Sequence, residues 1–95
     1  MTFKKGDMVK IKCEAQPGPF DEAAVTIGFE PGVVLSGFVK QSSVEKRGDE
    51  AFVIGKIVRI DGGIIEVQLP GSFFTSARGV ASLPRAWAES NVVHV

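Results

Sequence analysis

Residues 51–71 read AFVIGKIVRIDGGIIEVQLPG, and no other stretch restricts the fold as much. Two runs rich in Val and Ile flank a pair of glycines, the composition of two strands joined by a tight turn. Both Gly62-Gly63 and Asp61-Gly62 are chemically allowed as the two-residue turn. With Gly62-Gly63 at the turn, Asp61 faces Ile64, Ile60 faces Ile65, Arg59 faces Glu66 and Val58 faces Val67. Arg59 and Glu66 then pair on one face, while Val58, Ile60, Ile65 and Val67 fill the other. The Asp61-Gly62 turn sets Lys56 opposite Val67 and splits the ion pair, so cross-strand pairing favours the first register. The beginning of the hairpin, AFVIG, is apolar on both faces and therefore needs two covers. One is the core; the other is the hairpin expected at 23–41 or a second subunit.

Period-two alternation recurs along the rest of the chain. In DMVKIKCEA (7–15), Val9, Ile11, Cys13 and Ala15 alternate with Lys10, Lys12 and Glu14, which gives one buried and one wet face. Two prolines around a glycine in QPGPFDE (16–22) take the chain out of the sheet. Val25, Ile27 and Phe29 alternate with Thr26, Gly28 and Glu30, Pro31-Gly32 suits a turn, and VVLSGFVKQ (33–41) returns as the partner strand. SSVEKRGDE (42–50) reads as a polar connection and SFFTSARG (72–79) as a loop whose adjacent Phe73 and Phe74 point opposite ways. Val80 and Leu83 begin the closing segment. Pro84 suits the first position of one helical turn, PRAWAES, and Asn91 releases the chain into VVHV. No amphipathic helix of useful length is present. These runs predict a mainly β domain spanning 1–95, with five or more short antiparallel strands and one short helical turn near the C-terminus.

The 95 residues carry 11 basic and 11 acidic side chains, a balance that argues against general nucleic-acid or anionic-membrane binding. A content of 44% hydrophobic and 23% charged residues is that of an ordered globular chain. No apolar run approaches the roughly 18 residues of a membrane span, and the opening MTFKKGDMVK lacks the apolar core of a signal peptide. The single cysteine, Cys13, excludes an internal disulfide framework and a cysteine-based metal cage. The expectation is a cytoplasmic domain without cofactor or metal.

The entry Lys5-Gly6-Asp7-Met8-Val9, the central hairpin and the ending of strand, helical turn and strand together resemble the SH3-like small β-barrel. That group includes KOW-type modules, a photosystem I accessory subunit of this shape and the type II dihydrofolate reductases. The resemblance covers 3–15 and 51–95 and is architectural; 16–50 is then an enlarged first loop with an inserted hairpin. The reductases place Val-Gln-Ile-Tyr-Pro on the strand that lines their central pore, where Gln, Ile and Tyr contact folate and the nicotinamide cofactor. Here Val80 and Pro84 match, but Ala81, Ser82 and Leu83 stand at the three working positions. The resemblance implies a shared shape and a habit of oligomerising, and not the reaction.

Cys13 and His94 are the only candidates for a thiolate–imidazole pair. Cys13 sits on the inward face, where burial makes a thiol inert, and His94 lies in a segment expected to fray. Lys4, Lys5, Lys10 and Lys12 offer a basic patch, but only Phe3 is nearby for stacking, so a solvated strand face is the better reading. Arg47-Gly48-Asp49 reads as a turn. Phe73, Phe74, Arg78, Arg85 and Trp87 are expected near one end of the barrel, and they are of the types enriched in binding hot spots. Trp87 is expected first to plug the barrel end and second to meet a partner. Phe52, Ile54 and Phe74 are expected to form a homo-oligomer interface, most simply a dimer. The function expected is a non-catalytic binding or interaction module for a protein or small-molecule partner. The alternatives are a nucleic-acid-associated barrel, or an oligomeric pore-type enzyme resembling the reductases in shape only.

Overall fold

The structure, a computed structural model, describes residues 2–18, 20–30, 33–70, 72–73 and 79–95, with the backbone alone for 29, 30, 33, 72 and 73. Among the described residues nine strands and one helix follow in order: β1 (Met8–Pro17), β2 (Glu22–Glu30), β3 (Val33–Lys40), β4 (Val44–Arg47), β5 (Glu50–Asp61), β6 (Ile64–Gln68), β7 (Ser72–Phe73), β8 (Val80–Pro84), α1 (Arg85–Asn91) and β9 (Val92–His94). A single 3₁₀ turn, Gln41–Ser43, precedes β4. The result is a small, mostly β, nearly closed antiparallel barrel, as the alternation predicts. Among the described residues no helix is long and apolar enough to cross a membrane.

Strand β1 organises the barrel because it changes partner along its length. Met8 to Cys13 pair with β5, Val9 to Ile11 also pair with β9, and Glu14 to Pro17 pair with β2. From β5 the sheet continues to β6 and β8, and from β2 it continues to β3 and β7. Since β7 follows just beyond β6 in the chain, the two branches approach each other and the circuit nearly closes. Alternation then decides what is inside. Val9 and Ile11 of β1, Ala23, Val25 and Ile27 of β2, Val53 and Ile57 of β5, Ile65 and Val67 of β6 and Leu83 of β8 are buried together. Phe3, Val39, Leu69, Ala81, Ala88 and Val92 complete this core. Among the described residues no polar or charged side chain is buried with them.

The central hairpin has the register that the ion pair favours over Asp61↔Ile64, Ile60↔Ile65 and Arg59↔Glu66. Gly62 opens the turn at φ 58°, a conformation that glycine enters without a Cβ clash. Farther from the turn the register shifts. Val67 faces Ile57 rather than Val58, because a bulge lies between Ile57 and Arg59. The extra residue places Ile57 in the core and leaves Val58 half-buried.

Two connections differ from expectation. Residues 16–22 do not take the chain out of the sheet: β1 runs on to Pro17, and β2 begins at Glu22 as its antiparallel neighbour. Pro17 sits at the end of the β1–β2 ladder, where a missing N–H costs little. The polar stretch 42–50 is not a plain loop, since Val44 to Arg47 pair with β5 on the edge away from β1. Val44 faces Val53, so one apolar residue in a charged run is enough to lay this short strand against the core. The closing helix runs from Arg85 to Asn91 with Pro84 as its N-cap, one residue later than the sequence suggests.

Candidate functional site

Helix α1 is held at both ends. Pro84 terminates β8 in an extended conformation (φ −58°, ψ 131°), and the Arg85 N–H donates to the Gly63 carbonyl (2.8 Å). At the other end the Asn91 side-chain amide donates to the Trp87 carbonyl (2.9 Å) and the Val92 N–H to the Ala88 carbonyl. The β-branched residues Val92 and Val93 then resume extended structure beside β1. Within this fixed turn Ala88 is buried and Trp87 is half-buried against the core.

A groove of about 350 Å³ opens where β1 passes from its pairing with β9 to its pairing with β2. Lys12, Cys13 and Glu14 line it from β1, Thr26, Gly28 and Val34 from the β2–β3 hairpin, and Trp87 and Asn91 from α1. Val34 is 48% exposed although it is a large apolar residue, and it supplies an apolar surface in the same groove as the indole. The Cys13 thiol is pushed up to about 11, first by burial and then by the neighbouring Glu14 carboxylate. It is therefore a thiol and not a thiolate at neutral pH, and the groove offers shape, an apolar surface and amide hydrogen bonds rather than a nucleophile.

Cys13 and His94 are not brought together. Val9 faces His94 and Ile11 faces Val92, so Cys13 lies beyond the far end of the β1–β9 pairing. His94 instead places Nε2 at 2.9 Å from Asp7 Oδ2, and the Phe3 ring stacks on the imidazole (centroids 5.5 Å apart). The same Asp7 oxygen accepts the Lys4 backbone N–H (2.9 Å). These bonds, His94 first and Lys4 second, hold the Asp7 carboxyl below the usual carboxylate range. Among the described residues no group of three or more His, Cys, Asp or Glu side chains is placed to hold a metal ion.

The remaining sequence candidates separate. Trp87 lines the groove, while Arg85 starts the helix with Nε 3.9 Å from Glu89 Oε1. The Phe73 backbone faces Gly37, farther along β3 than Val34, and Phe74 and Arg78 lie outside the described residues. Of the lysines, Lys4 and Lys5 are exposed near the N-terminus, Lys10 Nζ is 2.8 Å from Glu45 Oε2, and Lys12 Nζ is 3.9 Å from Glu50 Oε2. Phe52 and Ile54 sit half-buried on the outer face of β5. Glu45 faces Phe52 from one edge of β5 and Lys10 faces Ile54 from the other, so their ion pair crosses over the strand. Arg47 Nε adds a second cation 3.2 Å from the same oxygen, which is shielded from water.

Sequence reasoning places Cys13 on the inward face and assigns no ligand-contact role to Thr26, Gly28, Val34 or Asn91. Their convergence depends on the change of partner along β1, which has no local signal. Nor does that reasoning single out Phe20, which stands exposed between β1 and β2. Its signal was available: one aromatic among the turn-forming residues of Pro17-Gly18-Pro19-Phe20-Asp21. Comparison of the chain with protein-family models, curated proteins and solved structures finds no match.

Proposed function

We propose that the chain is a single SH3-like barrel acting as a non-catalytic binding module, with its ligand surface in the groove between α1 and the β2–β3 hairpin. Two features support the barrel assignment: the strand order β9-β1-β5-β6-β8 and a helical turn joining the last two strands in sequence. Residues 16–50 are then an elaborated first loop. The observation that carries the binding reading is the placement of Trp87. A half-buried indole on a helix fixed at both ends lines a groove within the usual size range of ligand sites, roughly 300–1,000 Å³. An indole held this way gives a large contact area with little ordering cost, as hot-spot residues do. Gly28, Thr26 and Asn91 supply close backbone approach and polar contacts around it. The ligand class is a short extended peptide or a small aromatic compound.

Trp87 is the only tryptophan and the chain has no tyrosine, so its fluorescence reports on this groove. A panel of short peptides and aromatic compounds titrated against the full chain should yield binders that shift the emission. In amide chemical-shift maps those binders should perturb Cys13, Thr26, Gly28, Val34 and Asn91. Because Trp87→Ala also removes packing, the decisive variant is the exposed Val34→Lys, which should weaken binding at least tenfold with no loss of fold. Binders that map elsewhere, or that ignore Val34→Lys, overturn the reading.

A further inference from the structure

Phe20 stands 95% exposed in the turn between β1 and β2, with φ at 59°. It is the one non-glycine residue with positive φ among those described. This conformation disfavours any side chain with a Cβ, and turns fill it with Gly, Asn or Asp. A bulky aromatic that is both strained and solvated gives the fold nothing, and local rules of this kind are broken where function requires it. The turn is nonetheless fastened. The Gly18 N–H donates to the Glu22 carbonyl (2.8 Å), and the Gln41 N–H donates to the Asp21 carbonyl (2.8 Å). The ring is therefore presented on a fixed support.

Beside the ring the surface is hollow. A groove of about 610 Å³ joins Phe20 and Asp21 of the turn and Glu22 at the start of β2 to Phe38 and Lys40 of β3. We propose that this knob and hollow form a two-fold contact between two copies of the chain, the Phe20 ring of each entering the groove of the other against Phe38. An isologous contact requires a surface complementary to itself, and an apolar knob next to an apolar-floored hollow has that property. The charges agree. Asp21 borders the groove on the turn side and Lys40 on the β3 side, where Glu22 lies directly across the β2–β3 ladder from it. Two-fold rotation sets Asp21 of one copy against Lys40 of the other, whereas a uniformly basic or acidic partner suits only one side. A pair of Phe20 rings and a pair of Phe38 rings bury about 150–250 Å² each at most. Together they fall short of the roughly 1,200 Å² of a standard stable interface. The contact is a weak, concentration-dependent dimer built on the β1–β2 turn, an alternative to the face expected from Phe52, Ile54 and Phe74.

Sedimentation equilibrium of the full chain, from about 10 μM to about 1 mM, spans the range in which a contact of this size assembles. The wild-type mass should rise from monomer toward dimer. Phe20→Gly should stay at the monomer mass and melt no lower, because glycine takes this φ freely. Asp21→Lys should weaken association at least tenfold, and adding Lys40→Asp should restore it. The proposal is overturned by a wild-type chain that stays monomeric throughout, or by Phe20→Gly associating like wild type. It is also overturned by a charge swap that restores nothing, or by an association abolished by Ile54→Lys and not by Phe20→Gly.

Discussion

The outer face of β5 and the turn between β1 and β2 both carry large apolar side chains outside the core, and the chain handles them in opposite ways. Phe52 and Ile54 alternate with the buried Ala51 and Val53, so they necessarily face outward. There β1 and β4 flank the strand, and the Lys10–Glu45 ion pair spans it. The Lys10 side chain is only 14% exposed, which lays its alkyl stem along the apolar surface while its ammonium meets a carboxylate. Phe20 has no such cover. Both regions carry an outward aromatic, and they differ in whether a neighbouring strand brings a charged roof. An outward-facing apolar residue therefore acquires its meaning from what lies beside it in the sheet, and composition alone does not supply that.

If the outer residues of β5 are roofed surface, the inner ones must dominate its stability. Ile57 is fully buried, and Ile57→Ala should cost about 2–5 kcal/mol by chemical denaturation. The half-buried Ile54→Ala should cost about 1 kcal/mol, the centre of ordinary substitution effects. Equal losses at the two sites would break the distinction between the faces.

A finer test lies one residue from Ile54. A Cβ at Gly55 would sit 2.6 Å from Val67 Cγ1 and 3.1 Å from the Gln68 carbonyl oxygen, and the second contact is backbone that cannot turn aside. Gly55→Ala should therefore cost about 1–3 kcal/mol as overpacking. A neutral or stabilising Gly55→Ala would mean that the inner face of β5 is looser than its burial indicates.

Much of this was legible because period-two alternation reports inward and outward positions directly. It located β1, the β2–β3 hairpin, the β5–β6 hairpin and the closing helix, and the Arg59–Glu66 pair fixed the register near the turn. Three things were not legible. The bulge at Val58 depends on how β5 must bend to serve both β1 and β6, which is a property of the nearly closed barrel. Strand β4 has one inward apolar residue, Val44, too few to register as alternation. The groove at Trp87 arises because β1 changes partner between Ile11 and Glu14, a tertiary event in a strand of unbroken pattern. Lys10 reads as part of a solvated stripe because its partner, Glu45, comes from β4, a strand the pattern did not reveal, whereas Lys12 is indeed exposed.

The charged roof makes a pH prediction. Glu45 is held below the usual carboxylate range, first by its hydrogen bond from Lys10 and then by the charge of Arg47. A carboxyl whose folded pKa is depressed contributes stability fully above its unfolded value of 4.5, and that contribution is lost as pH falls through the folded value. Thermal melts of the wild type should thus decline on acidification below that point. Glu45→Gln should lower the melting temperature at neutral pH and flatten the acid limb. Asp7, depressed by His94 and the Lys4 N–H, acts with the same sign, so Asp7→Asn flattens it further. An acid limb unchanged in Glu45→Gln would show that the ion pair does not hold β4 over β5.

The smallest effect separates the two regions most cleanly, because its sign differs between them. Truncating Phe52 removes half-buried surface, and Phe52→Ala should lower stability. Phe20 buries almost nothing and holds an unfavourable φ, so Phe20→Gly removes a left-handed penalty of about 1–2 kcal/mol. Against that gain stands the greater freedom of glycine in the unfolded chain, about 0.5–1 kcal/mol. The balance is a net gain of about 0.5 kcal/mol, or a rise in Tm of about 2–4 °C for a domain of this size. The melts are run dilute, below the concentrations at which copies associate, so that lost association does not offset relieved strain. A Phe20→Gly variant that melts lower than wild type under those conditions would make the ring a structural cover like Phe52, and the contrast between the two regions would disappear.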